Sequence, residues 1–156
     1  MQPRVAIAVT AVLLLAPSDA AGGVTTTPKV TWAGAATAAC QSMWDRMKSF
    51  PPNHWQPLSE DRPLSRIALL RREWLVIHRD GLREIGARAA AKTPQARRAV
   101  GDYVRMLDTI RRVAQAAKTG DRRAYNVANI RMVLAIVKTR KVFARAGAGR
   151  VCNFGI

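Results

Sequence analysis

Between Val127 and Val137 only Asn129 and Arg131 are strongly polar. A helix that apolar asks for cover on more than one side. The run belongs to a segment from Asp121 to about Arg145. Its best stripe is Tyr125, Ala128, Met132, Ala135, Thr139, Val142 and Ala146, at alternating spacings of three and four. A second stripe, Val127, Ile130, Leu134 and Val137, lies beside it. Two stripes predict contact with at least two other helices and make this segment the expected spine for three earlier ones. Asp121 suits an N-cap, since its carboxylate accepts from first-turn N–H groups. Gly120 before it suits the left-handed residue that closes the preceding helix. Gly147 and Gly149 end the segment.

Three further helices are expected. The first runs from about Trp32 to Phe50, with Ala36, Cys40, Met43, Trp44, Met47 and Phe50 on one face; Pro51-Pro52 stop it. The second runs from about Leu64 to Lys92 on Ile67, Leu70, Trp74, Ile77, Gly81, Ile85 and Arg88. Gly81 on that inner line predicts a close helix approach or a bend. Thr93-Pro94 start the third as N-cap and first-turn proline. Its stripe is Val100, Tyr103, Val104, Leu107, Ile110, Ala114 and Ala117. Residues 51–63 hold four prolines and Trp55, and read as a crossover lying across the bundle. No strand-like alternation competes. The fold class expected is an all-α, four-helix bundle with a Pro-rich crossover between its first two helices.

Residues 1–20 stand apart. Met1 to Arg4 are basic, Val5 to Ala16 are apolar, Pro17 breaks the run, and Ser18-Asp19-Ala20 offer small residues before a cut. That is the layout of a cleavable secretory signal, too short to span a bilayer. Residues 21–31 then read as a flexible lead-in, and 32–156 as one helical domain. Export places the chain in a secreted, extracytoplasmic setting at the cell envelope. There a lone pair of cysteines, Cys40 and Cys152, is expected to form one bridge. The alternatives are a cysteine nucleophile, for which neither histidine is near in sequence, and a zinc site with His54 and His78, which lacks the usual close spacings.

Gly120-Asp121 before a helix and the closing Ala148-Gly149-Arg150-Val151-Cys152 resemble a group of small exported helical proteins. They come from GC-rich Gram-positive bacteria and are mostly of unassigned function. That group carries one cysteine on its first helix and ends near Leu-Gly-Leu-x-x-Cys. This chain keeps Gly149-x-x-Cys152 and replaces both leucines, by Ala148 and Arg150. The resemblance implies an exported, disulfide-closed bundle and supplies no catalytic residue to carry over.

Composition bears on the surface. The formal net charge is +16, with twenty Arg against six Lys and only ten acids. A GC-rich genome favours Arg over Lys codons but does not explain the shortage of acids. Such a surplus attracts anionic polymers. Arg72, Arg79 and Arg83 on the second helix, and Arg98, Arg105 and Arg112 on the third, point away from the core. They are the candidate contacts for an anionic envelope polymer or acidic lipid headgroups. Nucleic acid is the least favoured target, because no recognition motif is present. Two other readings stay open. Leu69, Leu75 and Val76 lie off the inner stripe and offer a homodimer or partner face, unless the crossover and Trp55 cover them. Exported chorismate mutases show that an Arg-lined pocket in a helical bundle holds a dicarboxylate, although their pattern is absent here. No motif for catalysis, cofactor or metal is found. Asp80 with Glu84, and Asp102 with Asp108, read as partners for nearby Arg. His78 reads as a hydrogen-bonded boundary residue.

Protein recovered from its own cells is expected to begin at Ala21 and to carry no free thiol. N-terminal sequencing and thiol titration under denaturant check both, and an intact residue 1–20 leader with two titratable sulfurs removes the case for export.

Overall fold

A computed structural model describes residues 29–51, 63–149, 152 and 154. The leader, most of the lead-in, and His54 and Trp55 of the crossover lie outside these. The elements are α1 (Trp32–Lys48), α2 (Leu64–Arg88), α3 (Pro94–Lys118) and α4 (Arg122–Arg145), with no strand among the described residues. The all-α four-helix arrangement is as expected, and consecutive helices pack on one another.

Side-chain chemistry sets the starts. Thr31, Thr93 and Asp121 accept from the N–H groups of Gly34, Ala96 and Ala124 at 3.1, 3.1 and 2.9 Å. Caps of this kind contribute about 1 kcal/mol each. Gly120 between α3 and α4 has φ +75°, a conformation that costs other residues a Cβ clash. α2 ends at Arg88, four residues short of the expected Lys92, because the chain must reverse before Pro94. Ala89 is already extended, with φ −154°.

The core is centred on α3. Tyr103 is fully buried, and its ring meets Phe143 of α4 edge-on at 5.4 Å and Phe154 at 5.1 Å. Its hydroxyl lies 3.0 Å from the His78 carbonyl and 3.0 Å from Met43 Sδ, joining α3 to α2 and α1. Phe154 adopts φ +46°, strain offset by burying its ring against His78, Tyr103 and Phe143. Cys40 and Cys152 form the expected disulfide, 112 residues apart in sequence. Closing a loop of that length restricts the unfolded chain by about 4–5 kcal/mol on the chain-entropy account. Next to it, the Thr37 hydroxyl donates to the Ala148 carbonyl at 3.0 Å, and Trp32 packs on Phe143 at 5.5 Å.

Several inward placements are corrected. On α4 the Tyr125–Met132–Thr139–Val142 stripe is buried, but Val127, Ile130, Leu134 and Val137 are 45, 62, 64 and 37% exposed. α4 is therefore an outer helix and not a spine, since α3, with Tyr103 reaching α1, α2 and α4, takes the centre. Trp44 and Val104 are exposed, and Arg88 turns outward to Glu84 at 2.6 Å. Leu69 and Val76 are exposed, whereas Leu75 is partly buried. His78 is not a boundary residue; it is 1% exposed.

The close approach expected at Gly81 is present: a Cβ there meets Sδ and Cγ of Met43, the same sulfur the Tyr103 hydroxyl contacts. Gly86, on the exposed side of α2, has nothing within 4 Å of a Cβ. Gly81→Ala is expected to destabilise by about 1–2 kcal/mol, overpacking outweighing the better helix former. Gly86→Ala is expected to stabilise by up to about 1 kcal/mol. Denaturant unfolding of the oxidised proteins measures both.

Candidate functional site

Functional chemistry needs polar groups that converge, and three polar clusters among the described residues bear on it. The first is buried. His78 Nδ1 lies 3.2 Å from the Tyr103 hydroxyl. With Nδ1–H donating to that oxygen, the hydroxyl proton is free to donate to the His78 carbonyl. His78 Nε2 is then a lone pair with no partner among the described residues. Burial alone pulls the imidazole down to about 3 and pushes the Tyr103 phenol up. Enclosed by Trp74, Phe143 and Phe154, this pair lies inside the core.

The second cluster joins α3 to α4. The Asp102 side chain is 2% exposed and meets Arg105 Nη2 and, at 3.1 Å, Lys138 Nζ. Burial works to raise its carboxyl pKa, but hydrogen bonds and charge from Arg105 and Lys138 outweigh that and hold it below the usual carboxylate range. The Thr139 hydroxyl lies 2.8 Å from the Ala135 carbonyl and 3.3 Å from the Asp102 carbonyl. The expected Asp102–Arg105 pairing is present, with Lys138 as a further partner, and the cluster acts as a clamp.

The third is open to solvent. A groove of about 410 Å³ runs between α3 and α4, lined by Thr109 and Arg112 of α3 and by Asp121, Arg123, Ala124, Val127, Ala128 and Arg131 on the α4 side. The two alanines leave the room that larger side chains would fill. The lining includes three arginines and one carboxylate, Asp121, which caps α4. Arg112 shares Asp108 with Arg111. Arg123 and Arg131 have no ion pair among the described residues. Guanidinium forks match the oxygens of phosphate and carboxylate, so the groove suits a compact anion.

The six arginines singled out from sequence all lie on the helix exteriors. Arg83 lies 3.7 Å from Asp80, Arg105 pairs with Asp102 and Arg112 with Asp108 at 2.8 Å. Arg72, Arg79 and Arg98 have no ion pair among the described residues. Only Arg112 of the six lines the groove. Arg123 and Arg131 were missed, although with Val127 they recur every four residues along one face of α4, beside Ala124 and Ala128. Among the described residues no three His, Cys, Asp or Glu side chains gather to hold a metal, and no helix is long and apolar enough to cross a membrane. Comparison with protein-family models, curated proteins and solved structures found no match.

The buried histidine makes a pH prediction. Unfolded, its ring titrates near about 6.5; folded, near about 3. Between those values the unfolded chain binds the proton and the folded chain does not. Stability is therefore full above about pH 6.5 and falls as pH drops toward about 3, by a few kcal/mol in all. Asp102, with its lowered pKa, contributes only below the ordinary carboxylate range, about pH 4. Urea unfolding between pH 6.5 and 4.5 is expected to show this loss in the wild type and a flat response in His78→Leu.

Proposed function

We propose that the protein is an exported, non-enzymatic binding protein that works at the cell envelope on anionic polymers or acidic headgroups. The observation that carries this reading is the α3–α4 groove, lined by Arg112, Arg123 and Arg131 and by one carboxylate, Asp121, which is committed to a helix cap; Arg112 also pairs with Asp108 outside the lining. Net charge of +16 extends the attraction beyond the groove. The disulfide and the kinship suggested by the Gly149-x-x-Cys152 ending are consistent with an oxidising, extracytoplasmic setting. Binding is favoured over catalysis because the groove lacks a free acid or base: its lining has no histidine, and His78 lies buried in the core. A partner-binding reading is favoured by a different observation, the outward apolar stripe of α4.

Oxidised protein on immobilised polyphosphate is expected to be retained at low salt and released as salt rises, since binding a polyanion displaces its counterions. Arg112→Gln, Arg123→Gln and Arg131→Gln together are expected to shallow the log–log salt dependence by about two to three. Retention that ignores salt, or a triple variant indistinguishable from wild type, overturns the assignment.

A further inference from the structure

α4 carries an exposed apolar row where a solvated helix carries polar side chains. At 3.6 residues per turn, Val127, Ile130, Leu134 and Val137 lie about half a turn round from the buried Met132 and Ile136. The core therefore makes no use of them. Their arrangement is bounded by charge: Arg123 precedes the row on the same line, Lys141 follows it, and Arg131 and Lys138 border one side. From Arg122 to Arg145 the helix has seven Lys or Arg and no acid.

That charge selects the occupant. A second copy pairing through this row brings Arg123, Arg131 and Lys141 against like charges, which repel. A surface that is both anionic and apolar within a few ångströms satisfies row and border together, and an acidic bilayer is such a surface. The groove adds the headgroup: Val127 is both a groove-lining residue and the first residue of the row, and Arg123 and Arg131 serve both. Resting on the anionic-surface reading above, we infer that α4 is a bilayer-docking face. It lays Val127, Ile130, Leu134 and Val137 into the boundary of an anionic phospholipid membrane while the Arg112–Arg123–Arg131 groove holds a lipid phosphate. The row spans about 15 Å along the helix axis. It is an interfacial contact of the kind made by amphipathic helices that lie in the headgroup region. The cations along it add attraction to acidic leaflets.

The test is co-sedimentation of oxidised protein with phosphatidylglycerol/phosphatidylcholine vesicles and with phosphatidylcholine alone, alongside the polyphosphate column. Wild type is expected to sediment with the acidic vesicles only. Ile130→Ser/Leu134→Ser removes side chains that are 62 and 64% exposed, so the core is untouched. This pair is expected to lose vesicle binding by on the order of tenfold and to keep wild-type polyphosphate retention. Arg123→Gln/Arg131→Gln is expected to weaken both. If the serine pair binds vesicles as wild type does, the bilayer face is wrong while the polyanion reading stands. If wild type binds neither vesicles nor polyphosphate, both fall. A wild type that is dimeric by light scattering, and made monomeric by the serine pair, overturns the inference in favour of a second copy.

Discussion

The Tyr103 side chain holds the four helices to one arrangement. It is a phenol in a place where an unmatched hydroxyl costs several kcal/mol. Its oxygen must therefore find polar partners, and it finds them on two different helices, at Met43 and His78. Its ring also reaches Phe143 and Phe154. A purely aliphatic core tolerates sliding and repacking; a buried hydroxyl with two fixed partners tolerates much less. The absent side chain of Gly81 belongs to the same constraint, since only a glycine lets Met43 lie close enough over α2 to meet that oxygen.

Local grammar was legible in the chain to within a few residues. Caps at Thr93 and Asp121, the left-handed Gly120, the stop near Pro51 and the Cys40–Cys152 bridge all follow from chemistry within a short stretch or from counting sulfurs. What periodicity leaves undecided is which of two apolar stripes on α4 faces inward, because both have helical spacing. The chain settles that only through α3, whose Tyr103 and Asp102 draw the Phe143 and Lys138 side of α4 toward them. The burial of His78 was hidden for the same reason: its polar partner is on a helix 25 residues away. The groove was half visible. Arg112 was recognised by its seven-residue rhythm, whereas Arg123 and Arg131 gained meaning only once α3 placed Thr109 and Arg112 opposite them.

Charge and apolarity are distributed in a way that separates stability from surface chemistry. The few acids are spent locally: Asp80 on Arg46 and Arg83, Glu84 on Arg88, Asp108 on Arg111 and Arg112. Exposed pairs of this sort contribute little to folding. They do neutralise the exteriors of α2 and α3 in patches. α4 has no acid of its own after its cap, and the buried carboxylate of Asp102 reaches it only at Lys138. α4 is thus the most uniformly cationic helix and carries a long exposed apolar row, while its inner side is ordinary core.

The bridge from Cys40 to Cys152 has a topological consequence. It closes the backbone from Cys40 to Cys152, 112 positions apart, into a covalent ring that includes the end of α1 and all of α2, α3 and α4. A single hydrolysed peptide bond anywhere in that ring linearises it without releasing a fragment. Such nicked molecules keep the mass of the intact chain plus one water, and separate into two pieces only when the sulfur–sulfur bond is reduced.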